Sequence, residues 1–265
     1  MDLTQSQITQ HYDIDKKFDE LGGHGQTYSM GYYDIHTKDQ HEAGHNMATY
    51  HGELLELRPG DRGVDLGSGT GYVGHIFNEE FGADMDSYTL SKFQNEYAQK
   101  QYGREGNRYH QGDIYEINKT FMKGHASGCA VHQEGIYDKY YENAFRLIEP
   151  GGIFLDKEMS ATRIITDEEC ARIIETFERG EYISVTQRYR LARKAGFKVE
   201  IINIPIRHYI TTLLDWIRCY EENREEMWKI DKERWQLNYR TYSIDFMELL
   251  HDGAFTMDIL VCQRP

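Results

Sequence analysis

Positive charge is in short supply: 30 lysines and arginines stand against 44 aspartates and glutamates, a formal charge of −14. Phosphate backbones are bound through basic patches, so nucleic acid is excluded as the main partner. Four prolines in 265 residues leave no proline-rich linker. No apolar run approaches the roughly 20 residues that span a bilayer, so no integral membrane association is expected. The opening MDLTQSQITQHYDIDKKF lacks the basic start and apolar stretch of a signal peptide, which points to the cytoplasm. Cysteine is sparse and unpaired in spacing: Cys129, Cys170, Cys219 and Cys262 read as free buried thiols. Histidine is plentiful, and His41 and His45 have helical i, i+4 spacing. No acidic or cysteine partner completes a zinc pattern, however, so no metal ligand is assigned.

What remains is a globular chain, 39% hydrophobic with 20 tyrosines, long enough for one large domain. From about residue 60 to 160 strand and helix patterns alternate. RGVDLGSG, ADMDSYTLS, NRYHQGD, GHASGCAV and GIFLDKEMS read as strands, with YVGHIFNEEFG, SKFQNEYAQKQYG and YDKYYENAFRLIEPGG as helices. This alternation indicates an α/β doubly wound, mostly parallel sheet covered on both faces, with a ligand crevice at a topological switch point. Residues 1–50 read as irregular. RLARKAGFKVEIINIPI is a helix turning through glycine into a strand, TTLLDWIRCYEENREEMWKIDKERWQLNYRTY is helical, and FTMDILVCQRP is a last strand.

The strongest motif is VDLGSGTGY, with Asp65 before the turn and Gly67, Ser68, Gly69 and Gly71 within it. Glycines there let the backbone approach a ligand, but such a turn serves dinucleotides equally well. Together with Gly112-Asp113-Ile114 and PGG at residues 150–152, it resembles the class I S-adenosylmethionine-dependent methyltransferases. That resemblance implies a seven-stranded Rossmann-like sheet and S-adenosyl-L-methionine as cofactor. One methyltransferase domain is expected over 1–265: a lid at 1–50, a cofactor core at 60–160, substrate-side elements at 161–250 and a final strand at 251–265.

Thr89-Leu90-Ser91 followed by Gln94 resembles the T-L-S-x-x-Q pattern of cyclopropane fatty acid synthases and geranyl diphosphate C-methyltransferases. In those families the threonine and glutamine face the ribose; taken alone, Thr89 also simply suits a strand. HYDIDKKFDEL and QTYSMGYYD are similar to the first segment of the cyclopropane synthase group. That likeness assigns Tyr28 and Ser29, with Tyr12, to the cofactor's amino-acid end; His132 is added to the cofactor set.

A question is posed by Glu134, where AVHQEGIYD puts a carboxylate at a strand end. Burying it without a partner costs several kcal/mol, roughly. Cyclopropane synthases hold a bicarbonate base there with a cysteine, a glutamate and a histidine. Here the cysteine position is Met30, Leu155-Asp156-Lys157 offers no histidine, and Glu134 alone persists. HQEGIYD, FMKGHA, FRLIEPGG and MELLHDGAFTMDILV resemble geranyl diphosphate C-methyltransferases more closely. The implied reaction adds a methyl group to the alkene of a short prenyl diphosphate, isopentenyl or geranyl, through a carbocation with Glu134 as base. Tyr137 and Tyr242 join it as catalytic candidates, and Tyr33, Tyr209 and Tyr239 as substrate-binding ones. Tyr32 and Trp216 are further candidates for an aromatic lining, with packing as the alternative for most of these rings. Arg207 is the candidate for the diphosphate, with Mg²⁺ as its bridge. Arg188, Arg190 and Arg193 are read as a solvated helix face. Two alternatives stay open: N-methylation of a phosphoethanolamine- or sarcosine-like amine, and methylation of a lipid olefin. Glu134 could also merely bind a backbone NH or an arginine. The sequence does not decide whether the protein is a homo-oligomer.

Overall fold

The computed structural model describes residues 16–24, 27–133, 135–177 and 181–265. Within them lies a seven-stranded sheet in the order β3-β2-β1-β4-β5-β7-β6. Its strands are β1 (Arg62–Leu66), β2 (Asp84–Thr89), β3 (Asn107–Gln111), β4 (Phe121–Ser127), β5 (Ile148–Ala161), β6 (Lys198–Ile204) and β7 (Phe255–Gln263). β7 runs antiparallel to both β5 and β6, and the other pairs are parallel. The expected doubly wound sheet is therefore present. Strand order reverses between β1 and β4, which opens the crevice at their carboxyl ends.

Ten helices among the described residues cover it. They are α1 (Lys16–Leu21), α2 (Gln40–Leu54), α3 (Tyr72–Phe81), α4 (Lys92–Tyr102), α5 (Tyr137–Leu147), α6 (Asp167–Phe177), α7 (Val185–Ala195), α8 (Arg207–Glu222), α9 (Arg224–Arg240) and α10 (Phe246–His251). One sheet face carries α2, α3 and α8–α10 through Met47, Phe77, Trp216 and Phe246. The other carries α5 and α7 through Tyr140, Tyr141 and Ala192.

Four sequence readings change. Part of the irregular 1–50 region is α2, started by Asp39, whose side chain accepts the Glu42 N–H. β4 stops at Ser127 rather than running through GCAV. Gly128 turns it with φ of 69°, and Ala130–His132 form a 3₁₀ turn. The long helical stretch near the C-terminal side is broken at Asn223, kinked at Asp231 and closed by a π turn at Thr241–Asp245. Arg188 is not solvated but wholly buried. Its Nη2 lies 2.7 Å from Asp156 Oδ2, itself fully buried, and Asp156 also accepts from the Tyr140 and Tyr141 hydroxyls. Nη1 donates to Ser160 Oγ and to the Glu158 and Asp258 carbonyls. A helix face rich in Arg looks solvated by composition, but one residue of it docks onto the β5 face that projects Asp156, Glu158 and Ser160.

Candidate active site

The strand-to-helix turn after β1 is built from glycines in the left-handed region, and Gly71 shows why. At φ of 82° it starts α3, and a Cβ there would stand 2.3 Å from the Tyr109 ring. Gly67, Ser68 and Gly69 line a cavity of about 430 Å³ at the switch point. Asp65 reaches it from β1, 2% exposed; its Oδ1 accepts from His125 Nδ1 at 2.7 Å, while its buried Oδ2 has no hydrogen-bond donor. Ser68 Oγ is likewise buried without a partner. A carboxylate oxygen left bare in a crevice wall is costly unless a ligand donor meets it. These orphaned atoms beside an open glycine turn fit the ammonium and carboxylate of an aminoacyl cofactor such as S-adenosylmethionine.

The T-L-S-x-x-Q segment folds into a hydrogen-bonded knot. Thr89 Oγ1 donates to Gln94 Oε1 at 2.8 Å and accepts from Ser91 N, while Ser91 Oγ caps α4 by accepting from Gln94 N. With its carbonyl oxygen occupied, Gln94 has its amide NH₂ left to offer a ligand. Thr89, Leu90, Gln94, Asp113, Ile114 and His132 all line the crevice, and Asp113 also caps the 3₁₀ turn Ile114–Glu116. Thr89→Val should lower stability by about 1 kcal/mol and weaken S-adenosylhomocysteine binding up to roughly tenfold, the scale of one lost hydrogen bond. Denaturant unfolding and calorimetric titration check this; unchanged affinity would limit Thr89 to holding the turn.

Across the crevice the lid presents Thr27, Tyr28, Ser29 and Met30. Tyr28 OH donates to Asp19 Oδ1 at 2.8 Å. Beneath Ser29 lies a row of polar side chains on one buried sheet face. The register pairs Asp65 with His125 and Ser127 with Lys157, and register partners on neighbouring strands project to the same side. His125 Nε2 is 3.0 Å from Nδ1 of His51, on α2. A carboxylate only accepts, so His125 Nδ1 donates to Asp65. With both imidazoles neutral, His51 then donates from Nδ1 and keeps a lone pair on a buried, unpartnered Nε2. Burial holds the His51 imidazole well below its ordinary pKa. Lys157, 3% exposed, donates from Nζ to Ser29 Oγ at 2.5 Å and to Ser127 Oγ at 3.5 Å. Sequence reasoning passed over His51, His125 and Lys157. A visible signal was three consecutive charges, Asp156 to Glu158, inside a central strand.

On the lid side the crevice meets a box of rings around His24, which the sequence reading also missed. His24 stacks on Tyr28 with centroids 4.3 Å apart and meets Trp216 edge-on at 4.3 Å. Tyr220 and Tyr242 follow at 6.0 and 5.6 Å, with Tyr242 OH 3.4 Å from His24 Nε2. His24, Tyr28 and Asp19 line the crevice, and Tyr242 stands one ring behind them.

Glu134 and Tyr12 lie outside the described residues. Several other candidates are not brought to the crevice. Tyr137 turns to the opposite sheet face, where its hydroxyl bonds the Glu181 carbonyl. Tyr33 OH lies 2.8 Å from Gln40 Oε1 and 2.9 Å from Asp215 Oδ2. Tyr209 packs edge-on against Phe246, and Tyr239 OH donates to Glu221 while its ring stacks on Trp235. Tyr32 stacks between Tyr50 and His208. Arg207 is exposed at the start of α8. Among the described residues that line the crevice there is no lysine or arginine.

A doubly wound sheet of this order with a glycine turn, an acidic β1 end and a capped crevice defines a class I S-adenosylmethionine-dependent methyltransferase. The family model of mycolic acid cyclopropane synthetase (CMAS) matches residues 2–257, and the chain belongs to that family. It is 25% identical to hydroxymycolate synthase MmaA4 of Mycobacterium tuberculosis over 256 residues, 89% of this chain and 84% of that protein. It is 30% identical to squalene methyltransferase 1 of Botryococcus braunii over 119 residues, 42% of this chain and 31% of that one. Its fold matches the crystal structure of mycolic acid cyclopropane synthase CmaA1 complexed with SAH and CTAB. The TM-score is 0.91 at 20% identity, covering 99% of each chain. No helix among the described residues is long and apolar enough to cross a membrane.

Proposed function

We propose that the protein methylates a carbon–carbon double bond in a neutral lipid or isoprenoid chain, through a carbocation on the substrate. The observation that carries this is the aromatic edge of the crevice, where His24 and Tyr28 line the cavity and Trp216, Tyr220 and Tyr242 pack behind them. Aromatic faces turned to a desolvated cation stabilise it by about 0.5–2 kcal/mol each, and a wall of such rings shields it from water. S-adenosylmethionine supplies the electrophilic methyl group. Asp65, Gly67, Ser68, Gly69, Gly71, Thr89, Leu90, Gln94, Asp113, Ile114 and His132 would hold it, with Tyr28 and Ser29 closing from the lid.

A prenyl diphosphate finds less support. Among the described residues the crevice wall offers no lysine or arginine, Arg207 sits outside it, and no group of three or more His, Cys, Asp or Glu could hold Mg²⁺. Similarity to mycolate synthases and to a squalene methyltransferase also favours an uncharged olefin. The test supplies [methyl-¹³C]S-adenosylmethionine with squalene in detergent micelles, dioleoylphosphatidylcholine vesicles, geranyl diphosphate with Mg²⁺, or phosphoethanolamine. Label on carbon in squalene or the oleoyl chain is expected. Label confined to geranyl diphosphate would restore the diphosphate reading, and label confined to nitrogen would end the carbocation argument.

A further inference from the structure

Carbocation chemistry leaves a proton to be removed, and a buried amine stands directly behind the crevice wall, joined to it through the hydroxyls of Ser29 and Ser127, which do line it. We propose that Lys157, acting through the Ser29 hydroxyl, is the proton acceptor of the methyl-transfer reaction; this rests on the alkene reading above. Lys157 projects from β5 into the face shared with Leu155 and Met159, under the lid. Ser29 and Ser127 are its only side-chain hydrogen-bond partners, both line the crevice, and no carboxylate lies within ion-pair distance among the described residues. The groups facing it are few. α2 brings His51, held neutral by burial and by its bond to His125, which is in turn tied to Asp65. β7 brings Ile259 in register. Glu158, next in β5, points to the opposite face, where it accepts the Val131 and Met159 N–H groups. An amine buried without a counter-charge is easily deprotonated, and burial lowers Lys157 to about 8 despite a small upward pull from Glu158.

The step balances without a further reactant. A C–H bond beside the cationic carbon breaks, and its electron pair forms the new double bond or ring bond. The proton passes to Ser29 Oγ while the Ser29 proton passes to the neutral Lys157 amine, giving an ammonium that loses its proton to water between turnovers. The Ser29–Lys157 contact carries this: with a charged amine Lys157 donates, and with a neutral amine the hydroxyl donates instead.

The sign of the pH dependence follows. The neutral amine is the active form, so turnover on squalene or dioleoylphosphatidylcholine should rise with pH through about 8 and level off above it. Lys157→Met should lose roughly 10²–10⁴-fold in turnover and keep S-adenosylhomocysteine affinity. Lys157→Arg should not rescue it, because guanidinium does not deprotonate in this range. Glu134→Gln should retain the limb near 8 whatever its rate. Near-wild-type turnover in Lys157→Arg, or a limb kept by Lys157→Met and lost by Glu134→Gln, overturns the proposal. A substrate-free readout stands beside these: ¹³C-lysine NMR of the wild type, with Lys157→Met for assignment, should show one lysine titrating near 8. A Lys157 that titrates at 10 or above overturns the proposal even where neither alkene turns over. Absence of S-adenosylhomocysteine binding to the wild type would instead count against the cofactor reading.

Discussion

Arg188→Met is expected to cost about 3–5 kcal/mol of folding stability, read as a fall in the denaturant midpoint with unchanged slope. The reason is asymmetric. Arg188 and Asp156 are both fully buried, and every donor of the guanidinium meets an acceptor from β5, β7 or α5. Removing the cation leaves the Asp156 carboxylate in apolar surroundings with only the Tyr140 and Tyr141 hydroxyls for company. Replacing both members of the pair, as Arg188→Met with Asp156→Leu, should recover much of the loss, since two matched apolar groups desolvate no charge. If the single variant loses less than about 1 kcal/mol, the pair is not the uncompensated charge described here.

Gly71→Ala is the second. Its Cβ would meet the Tyr109 ring at 2.3 Å and Ala98 Cβ at 2.7 Å, on a backbone at φ of 82°. Left-handed strain of about 1–2 kcal/mol adds to an overpacking cost of about 1–3. Tyr109 also donates its hydroxyl to the Gly71 carbonyl, so neither partner can yield without dragging the turn. A shift of 1 Å in a ligand cradle is worth on the order of a hundredfold, and that is the expected loss in S-adenosylhomocysteine affinity. Gly60→Ala separates strain from clash. At φ of 84° it is equally strained, but nothing lies within 4 Å of its Cβ. It should lower the melting temperature modestly and leave the ligand's affinity alone. Equal losses of affinity in both variants would mean general destabilisation rather than a displaced turn.

The parts of the fold that obey local rules were readable from the chain. Period and glycine placement disclosed the strand–helix alternation, and the turn after β1 needs glycine wherever it occurs. The T-L-S-x-x-Q pattern carried its own hydrogen-bond logic, which Thr89, Ser91 and Gln94 fulfil among themselves. What escaped was set by tertiary partners. Arg188 resembles its solvated neighbours Arg190 and Arg193 in every local respect, and only the polar face of β5 distinguishes it. His24 is one residue in an irregular lid, yet helix α8 supplies the tryptophan and α9 is followed by the tyrosine that surround it. His51, His125 and Lys157 come from three separated segments, and nothing in any one of them announces the others. Tyrosines were hard for the opposite reason: twenty rings are more than a crevice needs, and most of those singled out pack elsewhere.

The antiparallel pairing of β6 with β7 makes everything from Arg207 to His251 a single excursion that leaves the sheet and returns to the adjacent strand. The helices that contribute Trp216, Tyr220 and Tyr242 are thus an interchangeable cassette, anchored at two neighbouring points far from the glycine turn. Selection could rebuild the chamber wholesale while the methyl-donor side stayed untouched, which makes that segment the natural place for new substrate preferences to arise.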